Sequence, residues 1–185
     1  MRSFVLLAVL ILLPTLANAQ ITEAMQIFEN AVVVSRGGDH AKALEKFKQT
    51  LEIIEHDGST DAFMAKVHYN CGVSLYHLRR LEESAAHLNA ALRYSQRGYA
   101  KAHYVLGLIG LETNDLALAE TSLRSAAALD SRNGEAWYEL SRVYVALDEP
   151  AKAKKALAKA VRNGAVIRVH RDPTIMVRTT FIGDE

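Results

Sequence analysis

Several residues in this chain carry the side chains that catalysis needs, yet each stops short of a working set. His170-Arg171-Asp172 places an aspartate as if to accept a hydroxyl proton in phosphoryl transfer. That chemistry also needs a metal-holding asparagine, and Val177 stands in its place, with no glycine-rich phosphate loop upstream. Cys71 is the single cysteine, which excludes an internal disulfide and every multi-cysteine zinc site. It falls at an apolar packing position, so the expectation is an inert thiol rather than a nucleophile. His68 and His103 are spaced 35 residues apart, and Trp137 follows at the matching position, which marks a packing site rather than a ligand set. Serine-hydrolase elbows, phosphate-binding lysine loops and His-Glu-x-x-His are absent from the sequence. The chain is expected to be non-catalytic, with no cofactor and no metal.

The elements that carry these residues are read from composition first. Half of the 185 residues are apolar and 23% are charged, the balance of an ordinary globular chain. Alanine and leucine are abundant and aromatics make up only 7%, which favours helices over sheet. A net charge of +1 gives no global field to attract nucleic acid or an anionic membrane.

The first residues read as an export signal. Arg2 is the only charged side chain before Glu23, Phe4 to Leu13 is an apolar run, and Pro14 ends it. Ala17-Asn18-Ala19 then offers small residues at a spacing that signal peptidase accepts. A membrane-spanning helix needs about twenty apolar residues, twice this run. Residues 1–19 are therefore expected to be a cleavable signal peptide that leaves no stable membrane anchor, and the mature chain is expected to be periplasmic or secreted.

The rest of the chain is repetitive. Lys66 to Gly72, Lys101 to Gly107 and Glu135 to Ser141 align at offsets of 35 and 34 residues. A second motif follows each block: Ser84, Leu88 and Ala91; Ala119, Leu123 and Ala126; Ala153, Leu157 and Ala160. A weaker first copy contains Ile27, Ala31, Val34, Ala43, Phe47 and Thr50. This pattern resembles tetratricopeptide repeats, in which a large residue, a Leu-Gly pair, a tyrosine and two spaced alanines recur about every 34 residues. The fourth copy is the fullest, with Trp137, Leu140, Tyr144, Ala153, Leu157 and Ala160 in register, although Ser141 replaces the glycine. Gly110 replaces a large residue in the third copy, and Ser84 replaces the first alanine in the second. Turn signals agree: Gly37-Gly38-Asp39 and Asn114-Asp115 end one helix and cap the next, and Pro150 suits a first turn.

The resemblance implies an all-α fold, a right-handed superhelical stack of eight antiparallel helices. Its repeat domain is expected over residues 20–163, with repeats at about 24–57, 65–99, 100–133 and 134–163. Residues 164–185 are read as a C-terminal extension rich in strand-formers (Val166, Ile167, Val169, Ile175, Val177, Thr179, Phe181), expected to be extended and to cover the final helix or supply an edge for assembly, with disorder as the alternative.

In this family the first helix of each repeat lines a concave groove that binds a protein or peptide. Carried over by position, one row of that groove is Phe28, Tyr69, Tyr104 and Tyr138, flanked by Asn70, Tyr76, His77, Lys101, Glu112 and Arg142. The family's clamp for a peptide carboxylate is matched only by Asn70 and Lys101, while Phe28, Val32 and Val105 occupy its other places. Chaperone-style carboxylate recognition is therefore not expected. Tyrosines instead offer apolar faces with hydroxyl tips, suited to an extended peptide or to sugar rings. A second candidate is a basic face at Lys152, Lys155, Lys159 and Arg162, which reads either as solvated charge near a helix C-terminus or as a dock for an acidic protein or cell-envelope polymer. The expected role is an interaction scaffold. An accessory binder of envelope glycan and a structural homo-oligomer are the alternatives.

Overall fold

The computed structural model describes residues 20–55, 60–95 and 98–165. Residues 1–19, expected to be an export signal, and the C-terminal residues from Val166 onward, expected to be extended, lie outside the described residues. Among those residues there are eight helices and no strand. They are α1 (residues 20–36), α2 (His40–Glu55), α3 (Asp61–His77), α4 (Leu81–Tyr94), α5 (Ala100–Glu112), α6 (Leu116–Leu129), α7 (Gly134–Ala146) and α8 (Pro150–Arg162). None is long and apolar enough to cross a membrane.

One turn recurs between the helices of each pair. Gly38, Arg79, Asn114 and Asp148 hold the same repeat position and all have positive φ, between 55° and 90°. At three of these turns the next N–H reaches back five residues: Arg80 to Leu75, Asp115 to Gly110 and Glu149 to Tyr144. This left-handed cap satisfies carbonyls that a helix end leaves orphaned. Asp39 and Asp115 then cap the following helices by accepting from the N–H groups of Lys42 and Leu118, at 3.0 and 2.9 Å. Asn133 does the same for α7, accepting from Ala136 N–H.

The two helices of a pair touch at their small residues. A Cβ added at Gly72 would lie 2.7 Å from Leu88 Cγ, and one at Gly107 2.5 Å from Leu123 Cγ. Gly110 is just as close, 2.6 Å from the backbone nitrogen of Ala119, which explains why no large residue stands there. Ser84 replaces alanine at no cost in satisfaction, because its hydroxyl donates to Gly72 O at 2.7 Å. Ser141, in the glycine place, turns its hydroxyl back to Tyr138 O.

Apolar clusters run the length of the stack. Phe47, Leu44, Ile54, Val67, Cys71 and Leu75 join the first two repeats. Leu88 with Ala102, Val105, Leu106 and Ile109 joins the second to the third. Leu123, Leu140, Val143 and Tyr144 join the third to the fourth. Each buried leucine or phenylalanine contributes about 1.5–3 kcal/mol, so every repeat depends on its neighbours for its core.

Candidate functional site

The packing order of the helices decides which surface is concave. Beyond the contacts between chain neighbours, α3 meets α5 and α5 meets α7. Among the described residues α4, α6 and α8 do not meet one another. First helices therefore stand shoulder to shoulder on the inner wall, and second helices splay on the outer one.

Two polar clusters mark its seams. At the α3–α5 seam the Tyr76 hydroxyl donates to Glu112 Oε1 at 2.5 Å, and Arg79 pairs with the other oxygen of the same carboxylate. Burial, and then the hydrogen bond to Glu112, push the Tyr76 phenol well above its ordinary range, so it remains a donor. At the α5–α7 seam Tyr104 packs into the neighbouring apolar clusters. Its phenol is raised to about 12 by burial first and by Glu139 and Glu135 next. Arg142 donates to Glu139 at 2.6 Å beside it.

The remaining candidates take different places. Tyr69 stacks on Tyr99, centroids 5.0 Å apart, with burial and then Tyr99 raising its phenol. Phe28, partly buried, meets Phe47 at 5.6 Å and Phe63 edge-on at 5.4 Å, packed against the first core cluster. Asn70 donates to Lys66 O of its own helix. His77 stacks on His40 at 4.1 Å, nearly parallel. Lys101 is exposed on α5 and Tyr138 is half-buried on α7. The structure thus gathers Tyr76, Tyr104, Glu112 and Arg142 along two seams, and gives Phe28 and Tyr69 to aromatic packing.

Arg79, Tyr99, Glu135 and Glu139 belong to this surface and were not singled out from the sequence. Arg79 sits in a turn, and only its αL position, shared with Gly38, Asn114 and Asp148, could have marked it. The histidines at the large-residue position behave as packing groups. His68 meets His87 and stacks on Tyr94, and His103 is half-buried. Cys71 is fully buried, and burial pushes its thiol up to about 12, as expected of an inert thiol. Among the described residues no group of three His, Cys, Asp or Glu could hold a metal ion.

The basic face is partly used within the molecule. Lys159 Nζ lies 3.9 Å from the centre of the Trp137 ring, and that indole donates to Ser131 O. Lys152 pairs with Glu149 at 2.7 Å and sits over Tyr144. Lys155 and Arg162 are exposed on α8.

Comparison with known proteins agrees with this architecture. Residues 110–171 match the tetratricopeptide repeat family. No curated protein matches the chain. Among solved structures, MamA superposes with a TM-score of 0.67 at 17% identity, covering 81% of this chain and 83% of its own. PilF of Pseudomonas aeruginosa gives 0.66 at 19% identity, over 79% and 63% of the two chains. The first tetratricopeptide domain of Spaghetti (RPAP3), bound to the HSP90 peptide SRMEEVD, gives 0.61 at 17% identity, over 69% of this chain and 94% of that one. The described residues have the tetratricopeptide-type helical stack, and residues 110–171, about a third of the chain, match that repeat family directly.

Proposed function

We propose that this protein is a non-catalytic interaction scaffold of the bacterial periplasm or cell envelope, holding an extended segment of a protein partner along its inner wall. The observation that carries the reading is the pair of seams on that wall. Tyr76, Arg79 and Glu112 at one, and Tyr104, Glu135, Glu139 and Arg142 at the other, repeat an aromatic ring beside charge at each junction of first helices. Such a surface offers ring faces for apolar side chains and paired charges for a peptide backbone. A structurally similar domain is bound to a peptide, which supports the reading by likeness of fold. The envelope location rests on the export signal in residues 1–19.

A photo-reactive residue at exposed Lys101, in cells of the native host, tests both parts. Cross-linking to an envelope polypeptide, abolished by the charge reversal Arg142→Glu in the probe-bearing chain, supports the groove. The same polypeptide captured equally from Lys155 and unaffected by that reversal would move the binding surface to the basic face. Capture of glycan alone would replace the protein scaffold by the envelope-polymer reading.

A further inference from the structure

Packing does not call for a histidine at position 87. In the third and fourth repeats the register places Ser122 and Ala156 there, both small and buried. His87 on α4 is half-buried instead and turns its Nδ1 to the Nδ1 of His68 on α3, 3.0 Å away. Tyr94 lies nearly parallel to the His68 ring, 5.5 Å between centroids, and steadies it. Repeat spacing pairs His68 with His103 and gives the expectation of no metal. The histidine that meets His68 in space is nineteen positions on, across the helix pair.

Two imidazoles that face through ring nitrogens share one proton, and the same two nitrogens can share one metal ion. The surroundings say which ion. Among the described residues no group of three His, Cys, Asp or Glu is placed to ligate, so four-coordinate zinc lacks its set. Lys48 acts on His87, and Arg93 on His68, as a neighbouring positive charge. The opposing Glu83 is already bonded to Arg80 through both carboxylate oxygens. Repulsion from Lys48 and Arg93 grows in proportion to the charge of the ion, which favours a monocation over a dication. Copper suits imidazole, and in its monovalent state a filled d shell accepts two ligands in line. The other histidine pair is not arranged for this. His40 and His77 are stacked, 9° from parallel, so their lone pairs lie in separate planes and do not converge.

We propose that His68 and His87 together bind one Cu(I) ion between their Nδ1 atoms, bridging α3 and α4. Both rings then carry their proton on Nε2. The ring that donates from Nδ1 in the metal-free pair exchanges that proton for one on Nε2, and none is released overall. Two metal–nitrogen bonds of about 2.0 Å in line need about 4 Å between the nitrogens, against 3.0 Å here. Both rings are half-buried, and a turn of the two side chains supplies that opening without moving a helix. This inference does not depend on a partner occupying the groove.

Anaerobic titration of the purified protein with Cu(I), in competition with the chelator ferrozine at pH 7, tests the site. One Cu(I) per chain should be withheld from the chelator, and X-ray absorption should find two nitrogen neighbours and no sulfur. His68→Phe and His87→Ala should each lose that ion with helical circular dichroism unchanged. The second variant restores the residue that the fourth repeat carries at this position, and so keeps the fold. Cys71→Ala, and the double change His40→Asn with His77→Asn, should retain the ion. No ion withheld by the unaltered protein, retention in either His68→Phe or His87→Ala, or loss in Cys71→Ala would each overturn the proposal. Zn(II) bound as tightly as Cu(I) would overturn the assignment to a two-coordinate monocation.

Discussion

His68 on α3 and His87 on α4 face each other through their Nδ1 atoms at 3.0 Å, so one imidazole must donate while the other accepts. Both cannot carry a proton there without repulsion. Burial first, then His87 and Arg93, depress His68 to about 4. Burial and then Lys48 lower His87, partly opposed by Glu83. Depressed folded-state values mean that the unfolded chain takes up protons first. The stability these groups contribute is therefore full above about pH 6.5 and is lost as pH falls toward 4. Urea midpoints at pH 7 and pH 5 should differ, and the double change His68→Phe with His87→Leu should flatten that slope. A slope as steep in the double variant would assign the effect elsewhere. His40, lowered by burial and by His77, would be the next group to test.

Gly107→Ala sets helix propensity against packing. Alanine is favoured over glycine by about 1 kcal/mol inside a helix. Its Cβ, however, would sit 2.5 Å from Cγ of the fully buried Leu123, and overpacking a tight core costs about 1–3 kcal/mol. A net loss of stability is expected by chemical denaturation. Leu123→Ala in the same chain should cost less than it does alone, because it vacates the clash. Strict additivity of the two changes would refute the contact.

Arg79→Gly weighs backbone strain against an ion pair. A non-glycine residue in the left-handed region costs about 1–2 kcal/mol, and Arg79 has φ 63°. Its partner Glu112 is partly exposed and Arg79 more so, where such pairs contribute about 0–1 kcal/mol. The substitution should leave stability unchanged or raise it by up to about 1 kcal/mol, while Asn114→Gly should change little because asparagine tolerates that conformation. A loss greater than about 1 kcal/mol would show that the clamp at Glu112 outweighs the strain.

The repeat architecture was legible in the sequence because it is written redundantly. Helix pairing is signalled at once by Gly72 and Gly107, which meet Leu88 and Leu123, by Gly110 against Ala119, and by the capping residues Asp39 and Asp115. The inner wall was less legible, since repeat position says which helix face a residue occupies but not what meets it there. Phe28 holds the same position as Tyr69 and Tyr104, yet it packs, partly buried, against Phe47 and Phe63. Lys159 read as one of several cations on a basic helix, and its seat on Trp137 depends on an indole twenty-two residues earlier. Contacts of that kind arise only when two elements pack.

That last contact separates structure from docking on α8. Lys159 covers the Trp137 ring face, and exposed cation–π pairs are worth about 0.5–1 kcal/mol. Lys155 is exposed on the same helix. If the basic face serves an anionic partner, Lys155→Glu should weaken that binding with little change in melting temperature, since isolated surface changes stay within about 0.5 kcal/mol. Lys159→Ala should do the reverse: it should lower the melting temperature slightly and shift Trp137 fluorescence to the red as the ring gains water. The indole is the only one in the chain, so its emission reports this site without interference. Binding of a polyanion such as heparin, measured for both variants at two salt concentrations, completes the comparison. Equal losses of binding from the two variants, with Trp137 emission unmoved, would mean that Lys159 serves the surface and not the fold.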